Sequence, residues 1–182
     1  MTEPSHWPRQ EIRTIPRDPL IYALEDSDIL ELLAALPNTT MGRRYGFAFQ
    51  LMATYGLQAA DLRYLQVRNN DTELWLRARP RDPGNNASAN EPCRIDALPV
   101  VTDAGIAQDW NLVDRVARGE RLPPLGHGMD AEQHLNGYLK GKPVWRIIQS
   151  KASRSGQQAL MDSFCQRYAC TAHKLCRSDE PI

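Results

Sequence analysis

The residues with the most recognisable chemistry form a group near the end of the chain. Cys170, His173 and Cys176 recur every three residues, so a continuous helix would place them on one face, and Cys165 precedes them. Thiolate and imidazole are ligands that zinc prefers in proteins. The spacing matches no standard zinc finger, however, and one continuous helix makes a poor tetrahedral cage. We therefore favour buried reduced thiols over a metal site, and no metal is expected.

A second candidate is a concentration of positive charge toward the C-terminus. The chain as a whole is balanced, with 22 basic and 22 acidic side chains, so it has no net field that would attract nucleic acid. Residues 140–177 nevertheless carry eight basic side chains against Asp162 alone, whereas residues 1–37 carry seven acidic side chains against three arginines. An anion would meet the basic stretch, and a solvated helix face that binds nothing is the alternative interpretation.

Composition narrows the class of protein further. The 182 residues are 42% hydrophobic and 24% charged, which is typical of one globular domain. No apolar run approaches the roughly 18 residues that a membrane helix needs, and the first residues carry no secretory signal. Phosphate-binding loops, zinc-protease helices, nucleophile elbows and dinucleotide fingerprints are all lacking from the sequence. We expect a soluble cytoplasmic protein that needs no cofactor and has no membrane partner.

The elements that would position these residues begin after an arm. Residues 1–19 are rich in proline and aperiodic, which predicts a flexible arm ahead of a domain that covers residues 20–182. Apolar residues at helical spacing predict a helix over 27–36, a second over 43–54 and a short third over 59–65.

The residue pattern in the middle of the chain predicts a β-hairpin. Residues 73–79 have strand character, residues 80–92 are rich in turn formers, and residues 93–101 can return antiparallel to the first strand. Further helices are predicted over 106–117, 131–139, 144–152 and 159–176. Helices on both sides of a small hairpin predict a mainly α domain with a minor antiparallel β element.

Several segments carry a family resemblance in a fixed order. They are ATYGLQAADL at 53–62, the hairpin strands at 74–79 and 94–100 with LPV at 98–100, YLKGKPVW at 138–145, and SFCQRYA at 163–169. Together these segments resemble the catalytic domain of the tyrosine recombinase (phage integrase) family, particularly the integrase-like proteins of cyanobacteria. The resemblance covers most of residues 27–176 and implies an integrase-like DNA breaking-rejoining fold, truncated at its C-terminus.

The positions that this family uses for catalysis hold other residues here. The resemblance puts Gln58 at the first catalytic arginine, Asp162 at the first histidine and Cys165 at the second arginine. A glutamine supplies no positive charge to a phosphorane, and an aspartate repels a phosphate. Asp61 does match the acidic position that supports its helix turn in the family.

The acid and the nucleophile of the family are missing as well. The first lysine in the chain is Lys140, so the hairpin lacks the catalytic lysine, and arginine is a poor proton donor in its place. The chain ends at Ile182, before the place of the family's last histidine and nucleophilic tyrosine, and all six tyrosines lie upstream, the last at Tyr168. Because the loss of one such charge contact costs about two to three orders of magnitude in rate, we expect no DNA cleavage.

The resemblance therefore implies a DNA-binding domain, derived from proteins of DNA recombination and integration, that is catalytically inactive. Double-stranded DNA is the expected partner. The basic residues expected to contact its phosphates are Arg43, Arg44, Arg79, Arg81, Lys140, Lys142 and Arg167.

Two other hypotheses remain open. One is a regulatory or protein-interaction module that keeps the integrase fold without binding DNA, with self-association or a protein partner; the zero net charge and Asp162 favour it. The other is an active recombinase whose tyrosine lies beyond a truncated end. It ranks lowest, because Gln58 and Cys165 would still replace the two arginines.

Overall fold

Six α-helices and one three-stranded sheet make up the part of the chain that a computed structural model describes, residues 17–77, 92–126 and 130–178, with backbone only for the last three. The elements are α1 (Asp26–Ala34), α2 (Thr40–Tyr55), a 3-10 helix (Ala59–Tyr64), β1 (Leu65–Arg68), β2 (Glu73–Leu76), β3 (Cys93–Arg94), α3 (Leu112–Ala117), α4 (Asp130–Lys140), α5 (Pro143–Arg154) and α6 (Ser163–Ser178). The predicted class, mainly helical with a small antiparallel sheet, is confirmed.

The ends of α2 are set by local chemistry. Thr39 caps its first turn, since the Thr39 hydroxyl accepts the Gly42 N–H at 3.1 Å. Gly56 ends the helix in the left-handed conformation, with φ of 61°. The predicted start at residue 43 is three residues late, because the prediction did not use Thr39 as the cap.

The sheet contains one strand that the sequence did not predict. β1 pairs antiparallel with β2, with Leu65 opposite Leu76, and β2 pairs antiparallel with β3, with Trp75 opposite Arg94. The β1–β2 turn holds three consecutive residues at positive φ, residues 69–71, of the Asn and Asp types that tolerate this conformation. The returning strand of the predicted hairpin is shorter than expected, at two residues.

The core lies where α2 crosses α6. Phe49 of α2 stacks on Phe164 of α6 with ring centroids 5.5 Å apart, and Trp145 of α5 stacks on the same Phe164 at 6.5 Å. All three rings are fully buried. Burial of large aromatic side chains is the main favourable term in a domain of this size, so these rings fix the relative positions of the three helices.

The segment before α1 packs against the connection between α5 and α6. Tyr22 N–H donates to the Gln158 carbonyl at 2.9 Å, and Leu24 N–H donates to the Ser163 carbonyl at 3.3 Å. Residues 17–19 of the predicted arm adjoin this segment, and the rest of the arm lies outside the described residues. The segment before α1 is therefore hydrogen-bonded to residues 158–163, at the start of α6 and just before it.

Two predicted helices are shorter in the structure. The helix predicted over 106–117 covers only α3, because Asn111 adopts a left-handed conformation with φ of 50° and blocks an earlier start. The helix predicted over 159–176 begins at Ser163, whose hydroxyl accepts the Leu160 N–H at 3.0 Å. No helix in the described ranges is long and apolar enough to cross a bilayer.

Candidate nucleic-acid interface

The corner between α4 and α5 holds a stacked group of one lysine and two tyrosines. Tyr138 of α4 stacks on Tyr45 of α2, with ring centroids 3.5 Å apart and ring planes 4° from parallel. Lys142, the residue before α5, places Nζ 4.3 Å from the centroid of the Tyr138 ring. A cation over a tyrosine ring is held by the charge distribution of the ring. The stack therefore places an ammonium group at this corner and favours that position.

Further cations lie next to the stack. Lys140 ends α4, and Arg146 lies one turn beyond Lys142 in α5, where residues four apart share a helix face. Both are exposed, and no carboxylate partner is found for Lys140, Lys142 or Arg146 in the described part of the chain. We call Tyr45, Tyr138, Lys140, Lys142 and Arg146 the α4–α5 corner. Its electrostatic character is positive, so it attracts an anion.

The two arginines of α2 point in different directions. Arg44 is half-buried next to Tyr45, and no ion pair is found for it among the described residues. Arg43 lines a separate groove of about 290 Å³ together with Arg115 and Glu120. Successive residues of a helix are about 100° apart around its axis, which explains the separation. Only Arg44 is adjacent in sequence to a residue of the α4–α5 corner.

Arg115, which lines the same groove, has a structural role there. Its guanidinium donates to both carboxylate oxygens of Glu120 at 2.7 Å and lies 4.4 Å from the centroid of the Phe47 ring. The hydrogen bond from Arg115 lowers the pKa of the Glu120 carboxyl. The positive charge of Arg115 is thus balanced by Glu120, and Arg43 is the cation at the groove without a described partner.

The expectation that Arg167 contacts phosphate is contradicted. Arg167 is 2% exposed, and its Nε donates to Asp26 at 2.8 Å. Its other nitrogens donate to the backbone carbonyls of Ala53, Leu98 and Pro99, at 3.0, 2.6 and 2.8 Å. A guanidinium surrounded by these acceptors has no exposed face for a ligand. Arg167 instead joins α6 to α1, to the end of α2 and to the segment before α3.

The positions that the resemblance assigned to catalysis lie in two places. Gln58 and Asp61 flank the first turn of the 3-10 helix, where the Asp61 carboxylate accepts the Gln58 N–H at 2.9 Å and the Gln58 side chain accepts the Asp61 N–H. Asp162 precedes α6, and Cys165 is buried in its first turn. The Cys165 side chain therefore lies in the core, away from any surface on which an arginine would meet phosphate.

The remaining predicted residues contribute no site in the described part. Arg79 and Arg81 lie outside the described residues. Cys170 is half-buried and accepts a hydrogen bond from Arg17 at 3.4 Å, while His173 is exposed. The side chain of Cys176 is not among those described, and no group of three metal-ligating side chains is found in the described ranges.

Three members of the α4–α5 corner were not predicted as site residues. Tyr45 and Tyr138 are 93 positions apart, so no local pattern indicates that their rings stack. Arg146 was counted in the basic stretch only. The spacing of Tyr138, Lys142 and Arg146, four residues apart each time, is the pattern that could have indicated one shared face.

Comparison with known proteins identifies no relative, since no protein-family model, no curated protein and no solved structure matches the chain.

Proposed function

We propose that this chain is a DNA-binding domain with an integrase-like fold, and that it does not cleave DNA. The observation that carries the proposal is the ammonium group of Lys142, held 4.3 Å from the Tyr138 ring beside the exposed Lys140 and Arg146. Unpaired cations on a structured corner are what a phosphate backbone recognises, and a cation fixed by an aromatic ring loses less side-chain entropy on binding.

The absence of cleavage is supported by the environment of the residues at the catalytic positions. Gln58 caps the 3-10 helix, and Cys165 is buried. The nearby Arg167 is surrounded by Asp26 and backbone carbonyls. With no cation at either arginine position, a pentavalent phosphorane would have no charge stabilisation from these elements.

The test is fluorescence anisotropy with a labelled mixed-sequence duplex at several salt concentrations. Three phosphate contacts, from Lys140, Lys142 and Arg146, would give a slope of about −2.7 in log affinity against log salt, or a loss of about 40-fold in affinity between 50 and 200 mM. Lys142→Gln should weaken binding to all duplexes and make the slope shallower by about one unit.

A matched variant controls for net charge. Arg118→Gln removes one exposed cation that pairs with Asp114 at 3.7 Å in α3, outside the α4–α5 corner, and should leave the slope unchanged. Equal losses in the Lys142 and Arg118 variants would contradict a local interface. A double variant of Arg79 and Arg81, to Gln at both positions, tests the part of the predicted interface that lies outside the described residues.

A protein-interaction module is the second candidate, and Ile147 favours it. This residue is 60% exposed on α5, directly after Arg146. An apolar side chain among cations fits a protein partner better than a duplex. A folded chain that shows no salt-dependent DNA binding, even at 50 mM salt, would support this candidate over the first.

A further inference from the structure

A pocket of about 360 Å³ lies on another part of the molecule. It is bounded by the C-terminal end of α2, by residues 97–99 and by residues 107–114, which lead into α3. Tyr55 and Trp110 contribute aromatic surface, and Leu112 and Val113 contribute aliphatic surface. The size and the mainly apolar walls are those of a small-molecule pocket.

The charged residues of the pocket wall are all acidic. They are Asp109 and Asp114, and no lysine or arginine is among the described lining residues. Asp114 is accompanied by Arg118, 3.7 Å away, so its charge is partly balanced. Asp109 accepts the Asn111 N–H at 2.9 Å through Oδ1 and has no described cationic partner. The unbalanced negative charge is therefore centred on Asp109.

The pKa of the Tyr55 phenol is affected by this negative charge. Burial raises the pKa of its phenol to about 12, and the carboxylates of Asp109 and Asp96 raise it in the same direction. A negative potential disfavours the phenolate for the same reason that it favours a bound cation. The raised pKa of Tyr55 is thus due mainly to its burial, and Asp109 of the pocket wall adds to it.

Thr54 adds a polar group without a partner. The residue lines the pocket and is 6% exposed, and no hydrogen-bond partner is found for its hydroxyl in the described part of the chain. A buried hydroxyl that is left unpaired is unfavourable, and buried polar groups in proteins are normally satisfied. Because the hydroxyl oxygen is enclosed, it is a polar atom of the pocket wall that has no described partner, and it is not a contact for an occupant.

We propose that this pocket binds a flat organic cation, an amine or guanidinium whose charge lies at Asp109 and whose apolar body packs against Trp110 and Tyr55. An anion of the same shape is repelled by Asp109 and Asp114. A neutral molecule of the same shape leaves Asp109 without a cation. The aromatic walls favour a cation also because ring faces attract positive charge.

The experiment is a titration followed by the amide NMR signals of residues 107–114, with two probes that share an indole ring. Tryptamine carries a positive charge and indole-3-acetate a negative one. We expect saturable shifts with tryptamine and none with indole-3-acetate. Saturable shifts with both probes, or with neither, would overturn the proposal.

Two substitutions locate the charge. Asp109→Asn keeps the acceptor for the Asn111 N–H but removes the charge, and it should weaken tryptamine binding about tenfold, as expected for the loss of a hydrogen bond to a charged group. Asp103→Asn is the matched control, since Asp103 is exposed and outside the pocket. Unchanged affinity in the Asp109 variant, with a native amide spectrum, contradicts the proposal.

The cation can come from a free metabolite or from the side chain of a partner protein. A capped Gly-Arg-Gly tripeptide tests the second source with a guanidinium in a peptide context. Tighter binding of the tripeptide than of tryptamine assigns the pocket to a protein side chain, and the lack of saturable shifts with the tripeptide assigns it to a free amine that carries its own apolar body. In both cases the Asp109→Asn variant should lose affinity for the tighter probe, and failure to do so would contradict the inference.

Discussion

Arg167 shows how the surroundings of one side chain decide its role. Its sequence context, in a stretch with eight basic residues and one acid, is that of a surface cation. In the fold it is 2% exposed and donates to Asp26 and to three backbone carbonyls. Asp26 is 141 positions away in sequence, so no local pattern could have predicted this ion pair. The contact depends on the packing of α1 against α6.

Replacing Arg167 should be strongly destabilising. Arg167→Met leaves the Asp26 carboxylate without its cation and three carbonyls without a donor, so the free energy of unfolding should fall by about 3–5 kcal/mol. Urea denaturation measures the loss. Arg118→Met, which breaks an exposed ion pair of 3.7 Å, should cost less than about 1 kcal/mol. Similar losses for both variants would show that the burial of Arg167 does not matter.

Replacing Thr54, unlike replacing Arg167, should not destabilise the fold. Because its buried hydroxyl has no described partner, Thr54→Val removes an unpaired polar group and retains nearly the same shape. We expect the free energy of unfolding of the unliganded protein to stay the same or rise by about 1 kcal/mol. A fall of that size in urea denaturation would mean that the hydroxyl has a partner in solution.

At the scale of elements, amphipathic helices were predictable and backbone conformations were not. The helix predicted over 144–152 matches α5, because Pro143 opens it and Trp145, Ile148 and Ala152 face the core. β1 was missed because Leu62 and Leu65 fall at helical spacing, although only Leu62 belongs to the 3-10 helix. Asn111, at a φ of 50°, shortened α3 without any apolar signal.

The candidate site was predictable only in its charges. Lys140 and Lys142 were identified from the basic stretch, whereas their aromatic neighbour Tyr45 comes from α2. A contact between elements far apart in sequence depends on the packing of the whole core. For the same reason, the pocket beside Trp110 could not be expected from the residues that line it.

Alanine substitutions at two glycines test how the helices pack. A Cβ on Gly42 would overlap the carbonyl oxygen of Pro37 and lie 3.1 Å from the Pro37 ring, because α1 and α2 are joined by a tight connection. Gly42→Ala should therefore lower the free energy of unfolding by about 1–3 kcal/mol. Gly137 in α4 has open space around it, so Gly137→Ala should raise the same quantity by about 1 kcal/mol. Thermal or urea unfolding of the pair checks both signs, and equal signs would contradict the helix packing.

At the scale of the molecule, ion pairs join α1 to helices near the other end of the chain. Lys151 of α5 contacts Glu25 at 2.5 Å and Asp28 at 3.1 Å. These contacts, chiefly the hydrogen bond that the ammonium donates to the Glu25 carboxylate, raise the pKa of the Lys151 ammonium. A raised pKa stabilises the fold below the ordinary pKa of lysine, and that contribution is lost as the pH rises through the folded-state value.

Stability should therefore fall at alkaline pH. Tyr55 adds to the effect, because its pKa rises from 10.0 to about 12 on folding, so its contribution is complete below pH 10 and is lost between pH 10 and 12. Urea denaturation at pH 9 and 11 should show the decline. In Tyr55→Phe the difference between the two pH values should be smaller by about 1 kcal/mol. An identical decline in this variant would rule out Tyr55 as a source.

The hydrogen bonds between the segment at 20–24 and residues 158–163 also bear on biosynthesis. A ribosome adds about 5–20 residues per second, so the time between the synthesis of Asp26 and that of Arg167 is on the order of ten seconds. Until then α1 lacks its buried cation as well as Lys151, and it can pack only against α2, not against α5. The contacts that join α1 and the segment before it to α5 and α6 can therefore form only after α6 has left the exit tunnel.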